Sequence, residues 1–134
     1  MKYFKFEKLI RDKIVDSMKQ NGQIPIGVKV LNDSDYVKEL AIKVAEEANE
    51  LADVSDIEKL KEEFADVQEV MNYLRKALNL SEKDIKEYQK KKKMKNGGFE
   101  KRIYLEAVGV PKDNKWYEYY LQNPEKYPKI PKPE

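Results

Sequence analysis

The sequence contains neither cysteine nor histidine. Their absence excludes disulfides, thiolate or imidazole metal ligands, cysteine nucleophiles and a serine–histidine triad. No apolar run approaches the roughly 20 residues of a membrane span, and the first five residues carry charges where a signal peptide would need an apolar core. We therefore expect a cytoplasmic protein with no membrane partner, whose chemistry uses carboxylates, amines, hydroxyls or a bound metal ion.

Charge is abundant instead, and it is unevenly distributed. Residues 1–80 carry 13 basic and 16 acidic side chains, for a net charge of −3, whereas residues 81–134 carry 14 and 9, for a net charge of +5. The acidic part suits cations and the basic part suits anions. A solvated lysine-rich surface explains any single lysine equally well.

Helical periodicity accounts for most of the chain. Apolar residues at helical spacing predict helices over 7–20, 33–53 and 57–78. A capping signal and the glycine turn after residue 96 predict a fourth helix over 81–96, and we expect shorter helices over 99–107 and 116–121. The segment 23–32 is β-branched and contains proline and glycine, so we expect it to be extended. Ser55 with Glu58, and Ser81 with Asp84, have the spacing of capping boxes at the third and fourth helices.

The second and third helices are joined by only a few residues, so they should form an antiparallel hairpin. The predicted fold is accordingly all-α, a four-helix bundle built round this hairpin. We expect the domain to cover residues 1–110. Residues 111–134 are rich in aromatic residues and proline, and we expect an irregular extension that packs on the domain or on a neighbouring subunit.

Two acidic groups lie on the hairpin. Glu47 and Glu50 are three residues apart on the second helix, as Glu63 and Asp66 are on the third, so each pair shares a helical face. Both pairs border the apolar stripe on the same side and lie at similar distances from the turn. Four converging carboxylates repel one another unless a cation lies between them or some take up protons, and Mg²⁺ or Mn²⁺ suits an all-oxygen site.

A solvated surface is the alternative explanation, because glutamate is a good helix former and acid-rich helices with lysine partners are common. The residues four positions after Glu46 and Glu47 are Glu50 and Leu51, not lysine. This spacing argues against a simple ladder of helical ion pairs.

The order Glu46-Glu47-x-x-Glu50 followed by Glu63-x-x-Asp66 resembles the MazG and all-α NTP pyrophosphohydrolase superfamily. Residues 8–14 (KLIRDKI) and 97–106 (GGFEKRIYLE) are similar to its phosphoribosyl-ATP pyrophosphohydrolase-like branch, and the resemblance spans about residues 6–107. It implies hydrolysis of a nucleoside triphosphate to a monophosphate and pyrophosphate, possible nucleotide-pool house-cleaning, and assembly as a homodimer or larger homo-oligomer. It further implies that Mg²⁺, or Mn²⁺ in its place, activates the attacking water.

The resemblance also implies residue roles. The metal ligands would be Glu47, Glu50, Glu63 and Asp66. The catalytic residues would be Glu46 and Glu47, and Glu46 would orient or deprotonate the attacking water. For the phosphates we favour basic residues around the glycine turn and near the N-terminus: Lys95, Lys101, Arg102, Arg11 and Lys13. Arg11 has an alternative role as an ion-pair partner of Asp12, and Lys90–Lys93 are better explained as solvated helix surface.

Three other functions stay open at this point. In the first, the chain is an enzyme that hydrolyses phosphoribosyl-ATP. In the second, the chain is a non-catalytic helical protein-interaction module whose aromatic C-terminal region contacts a partner. In the third, residues 90–95 bind nucleic acid, which predicts an affinity that falls steeply with salt; we do not expect a nucleic-acid partner.

Overall fold

A computed structural model describes all residues 1–134 and contains five helices and no strand. The helices are α1 (Ile14–Gln20), α2 (Asp33–Asp53), α3 (Ile57–Ala77), α4 (Glu82–Asn96) and α5 (Tyr117–Leu121). The chain divides into two compact units, residues 1–95 and residues 96–134. None of the helices combines the length and apolar composition that crossing a bilayer requires.

The antiparallel pair α2 and α3 dominates the first unit, which confirms the all-α prediction and its hairpin. Asn32 caps α2, because its Oδ1 accepts a hydrogen bond from the Asp35 N–H at 2.8 Å. Asp56 caps α3 by accepting from the backbone N–H of Glu58 and Lys59. The predicted Ser55–Glu58 capping box is therefore wrong, since the next residue along supplies the cap.

The apolar residues of α3 form two series with a spacing of seven. The first faces α2 and is half-buried: Leu60, Val67 and Leu74. The second series is exposed: Ile57, Phe64, Met71 and Leu78. Leu40 on α2, at 3% exposure, is the one buried apolar side chain of the chain. The hairpin thus covers one side of each helix and leaves a second apolar stripe open.

The N-terminal segment is less helical than its sequence predicts. A helix over 7–20 was expected, but α1 begins only at Ile14. The preceding residues are irregular, and Glu7 adopts a left-handed φ of 43°. Lys8 and Arg11 in this stretch pair with acids on α2 and α3, so tertiary ion pairs replace helical structure there. Residues 23–32 form neither a helix nor a strand, and Gly27 within them adopts a left-handed φ of 70°.

The capping box predicted at α4 is confirmed. The Asp84 N–H donates to Ser81 Oγ and the Ser81 N–H donates to Asp84 Oδ2, both at 3.0 Å. These bonds, first the backbone one from Ser81, hold the pKa of Asp84 below its usual value. The helix is solvent-exposed along its whole length. It ends before Gly97, whose φ of 85° is the left-handed turn expected there.

The second unit contains the helix α5 and little other regular structure. The predicted helix over 99–107 is wrong: a single turn closed by the Arg102 N–H and the Phe99 carbonyl is followed by an irregular chain. Four rings cluster about α5, with the Tyr120 and Tyr127 centroids 4.7 Å apart. The Asn123 side chain donates to the Tyr119 carbonyl at 2.7 Å and fixes the turn after the helix. The C-terminal aromatic residues therefore pack on one another.

Candidate metal centre

The hairpin brings three glutamates together. Glu47 and Glu50 come from α2 and Glu63 from α3, and one carboxylate oxygen of each lies within 4.8 Å of the others. Spacing by three residues places the α2 pair one turn apart on one face, and the short link to α3 sets Glu63 opposite them. The convergence predicted for these three residues is present in the structure.

The cluster is enclosed unevenly. Glu47 as a whole residue is 8% exposed, Glu63 is half-buried and Glu50 is exposed to solvent. Burial raises the pKa of the Glu47 carboxyl, and the nearby charge of Glu50 adds to this, while Lys43 acts against it. The shift has the direction expected when a carboxylate loses water beside a like charge.

One oxygen of the cluster has no hydrogen-bond partner. Glu63 Oε2 is buried without a donor, which is costly for an acceptor that water cannot reach. A hard cation satisfies such an oxygen better than any neutral donor, because Mg²⁺ and Mn²⁺ bind carboxylate oxygens directly. The three glutamates could therefore hold a divalent metal ion, with two carboxylates from α2 and one from α3.

Asp66, the fourth predicted ligand, lies outside this group. Its Oδ1 accepts a hydrogen bond from Arg11 Nη2 at 2.8 Å, and Arg11 Nη1 also pairs with Glu69. The hydrogen bond to Glu69 is the largest influence that raises the pKa of Arg11. Arg11 therefore ties the N-terminal segment to α3 through these two acids, not through the Asp12 pair considered as an alternative.

Glu46, predicted to orient the water, is held by two ammonium groups. Lys8 Nζ lies 3.2 Å from one of its oxygens and Lys43 Nζ lies 3.3 Å from the other. Partial burial alone would raise the pKa of Glu46, but the Lys8 hydrogen bond and the Lys43 charge outweigh it, so the pKa lies below its usual value. Glu46 is consequently an ionised and oriented carboxylate.

Sequence reasoning missed three residues at this site: Lys8, Lys43 and Glu69. Partners for Glu46 and Glu47 were sought four residues later, whereas Lys43 lies three and four residues earlier and pairs with both. The argument from missing lysine partners was therefore wrong. The i−3 and i−4 spacing of Lys43 was visible in the sequence, but the reach of Lys8 and the shared role of Glu69 depend on tertiary structure.

The remaining basic candidates are exposed. Lys13 immediately precedes α1, and Lys95 lies in the last turn of α4. Lys101 and Arg102 belong to the second unit, where Arg102 adopts a left-handed φ of 57°. A residue with a Cβ is strained in that region, and such strain clusters at functional positions.

Comparison with protein-family models, with curated proteins and with solved structures finds no significant match.

Proposed function

We propose that the chain is a Mg²⁺-dependent pyrophosphohydrolase that converts a nucleoside triphosphate to a monophosphate and pyrophosphate. The observation that supports it most is the convergence of Glu47, Glu50 and Glu63, one of whose oxygens is buried without a partner. An exposed acidic patch has no reason to bury an unpaired carboxylate oxygen. The order and spacing of the acids also match the resemblance described above.

The roles follow from what each side chain contacts. Glu47, Glu50 and Glu63 would hold the ion, which supplies Lewis-acid charge next to the phosphates. Asp66 would be a fourth ligand only after Arg11 exchanged this carboxylate for another anion, such as a phosphate of the substrate. Glu46 is ionised and fixed by two lysines, so it suits orienting a water molecule by accepting its hydrogen bond.

The phosphates need further cations. Lys95, Lys101 and Arg102 are exposed and flank the Gly97 turn, and Lys13 lies near Arg11 in the sequence. Arginine and lysine pair strongly with phosphate oxygens by charge-assisted hydrogen bonds. We assign these residues to triphosphate binding, in the cytoplasmic setting that the sequence predicts.

A pyrophosphate-release screen tests the reaction. Purified chain with Mg²⁺ is assayed against normal and modified nucleoside triphosphates and phosphoribosyl-ATP, which separates the two enzymatic alternatives. We expect release with at least one substrate, and loss of release in Glu50→Gln with Asp66→Asn. No release from any substrate by chain shown to be folded contradicts the enzymatic function and favours the interaction module.

We further propose that the chain works as a homo-oligomer. Leu40, which is 3% exposed, is its one buried apolar side chain, whereas large apolar side chains of the hairpin such as Phe64 and Met71 are exposed. A second copy that covers them would add the apolar burial that a single hairpin lacks.

The open stripe of the hairpin is the surface we assign to this contact. At about 100° per residue, Phe64 and Met71 on α3 lie on the side of the hairpin opposite the acid cluster, together with Ala41 and Ala48 on α2. All four are exposed. Large residues on one helix beside small ones on the other make this face self-complementary about a two-fold axis. A second copy would complete a four-helix bundle there.

Light scattering during gel filtration tests this contact. We expect the wild-type chain to elute as a dimer or a larger oligomer, and Met71→Glu to reduce the mass by breaking the open stripe. Met94→Glu on the exposed helix α4 is the control and should leave the mass unchanged. A monomeric wild type, or an oligomer that tolerates Met71→Glu, contradicts the assignment.

A further inference from the structure

We propose that Lys43 takes the place of a second metal ion, so that the cluster binds a single divalent cation before nucleotide arrives. This inference rests on the proposed function and adds the number of ions in the free protein. It concerns a side chain to which sequence reasoning gave no role.

The ammonium group of Lys43 lies directly beside the acids of the cluster. Its Nζ lies 3.4 Å from Glu47 Oε1 and 3.3 Å from Glu46 Oε2, so it links the most enclosed carboxylate of the cluster to the neighbouring acid. The Lys43 side chain is 16% exposed, and that of Glu47 is 11% exposed. Charges so placed interact more strongly than charges in water, because the surrounding dielectric is lower.

A helical ion pair of the same spacing shows how unusual this enclosure is. Lys61 and Glu58 on α3 are three residues apart and their charged atoms lie 3.1 Å apart, but their side chains are 66% and 76% exposed. That pair fits the ordinary surface type, which contributes little to stability. Lys43 is withdrawn from solvent although its four-carbon stem would allow the ammonium group to reach water, as lysines usually do.

The charges of the cluster match one ion. Three ionised carboxylates and the Lys43 ammonium carry a net charge of −2, which one divalent cation neutralises. Asp66 and Glu69 share the single charge of Arg11, so this neighbouring group keeps a net charge of −1 and is not part of the balance within the cluster. A second divalent cation would leave an excess of positive charge until the triphosphate binds, so Lys43 makes early occupancy by two ions unfavourable.

Mn²⁺ binding in the absence of nucleotide tests the proposal on the wild-type chain. Free Mn²⁺ is followed by electron paramagnetic resonance and total binding by calorimetry, and we expect one ion per chain at saturation. Two tightly bound ions would overturn the role of Lys43 while leaving the proposed function intact. No bound ion would overturn both.

Substitution of Lys43 sharpens the result. Removing the ammonium in Lys43→Met should tighten the first Mn²⁺ by about tenfold or more, or raise the stoichiometry to two, because a like charge near the ion is lost. Lys43→Arg retains the charge and should keep one ion at close to wild-type affinity. Lys61→Met, which removes the lysine of the exposed pair, should change neither quantity.

Weaker or unchanged Mn²⁺ binding in folded Lys43→Met contradicts the proposal, since it would make Lys43 an ordinary helix partner of Glu47. Circular dichroism establishes whether the variant folds. If it does not, the wild-type stoichiometry and the Lys43→Arg affinity still decide the question, because both are measured on charge-retaining chains.

Discussion

The acidic and basic parts of the chain differ in how far the single chain organises them. The acids of α2 and α3 converge, and each of Glu46, Glu47 and Asp66 has a defined cationic partner. The lysines of α4 lie on a helix that is exposed throughout. The hairpin packs two helices against each other and so positions the acids, whereas α4 packs on no other helix to a comparable extent. We therefore expect metal binding to be a property of the hairpin and phosphate binding to need groups from outside it.

The largest effect is expected at Glu63, whose buried oxygen has no partner. Glu63→Gln replaces a ligand oxygen by an amide and should lower pyrophosphate release by roughly 10²–10³-fold, since a metal contributes several kcal/mol to such reactions. Mn²⁺ affinity should fall with it. The neighbouring Glu62 is exposed, so Glu62→Gln is the matched control and should retain both. Equal losses in the two variants would show that activity depends on the overall negative charge of α3 and not on the cluster.

A smaller effect is expected from the basic residues after the glycine turn. Lys101→Gln with Arg102→Gln should raise KM by about tenfold to a hundredfold, because two exposed hydrogen bonds to phosphate together contribute roughly 1.5–3 kcal/mol. Mn²⁺ affinity without nucleotide should stay unchanged. Lys90→Gln with Lys92→Gln removes the same charge from α4 and should leave KM within about twofold.

Equal KM changes in both double variants would indicate a nonspecific attraction of the substrate to positive charge. A loss of Mn²⁺ affinity in Lys101→Gln with Arg102→Gln would contradict the division between the acidic and basic parts.

The hairpin and its acid pairs were predictable because each depends on local spacing. The i, i+3 separation fixes a common face, and the short link at residues 54–56 fixes the antiparallel direction. The N-terminal segment was not predictable, since Lys8 and Arg11 leave the helix to reach acids 38 and 55 residues away. The same tertiary pairing places Asp66 beside Arg11 and outside the cluster, which spacing alone could not reveal.

Unlike the substitutions above, which should weaken catalysis or binding, replacing Glu47 should stabilise the folded chain in the absence of metal. Because its pKa is raised in the folded state, the folded metal-free chain binds this proton more tightly than the unfolded chain does. The free energy of unfolding therefore decreases as pH rises from the ordinary glutamate pKa through the raised one. Glu47→Gln removes this decrease and should stabilise the metal-free chain at neutral pH.

Denaturant unfolding of both chains at several pH values, with and without Mn²⁺, measures this difference. The advantage of Glu47→Gln should vanish at low pH, where the wild-type carboxyl is protonated, and reverse with saturating Mn²⁺, which stabilises only the chain that binds it. If the metal-free variant is less stable than wild type at neutral pH, the Lys43 ion pair outweighs the repulsion within the cluster.

The smallest effects are expected from removing the N-terminal caps of α2, in the hairpin, and of α4, in the basic part of the chain. Asn32→Ala removes the cap of α2, a helix of the packed hairpin, and should lower the free energy of unfolding by about 1 kcal/mol. Ser81→Ala removes the cap of α4, which packs on no other helix to a comparable extent, so it should fray that helix locally. We expect a small loss of far-ultraviolet helical signal with Ser81→Ala and an unchanged Tm. Should Ser81→Ala lower the Tm as much as Asn32→Ala does, α4 unfolds together with the hairpin, and its lysines belong to the same cooperative structure as the acids.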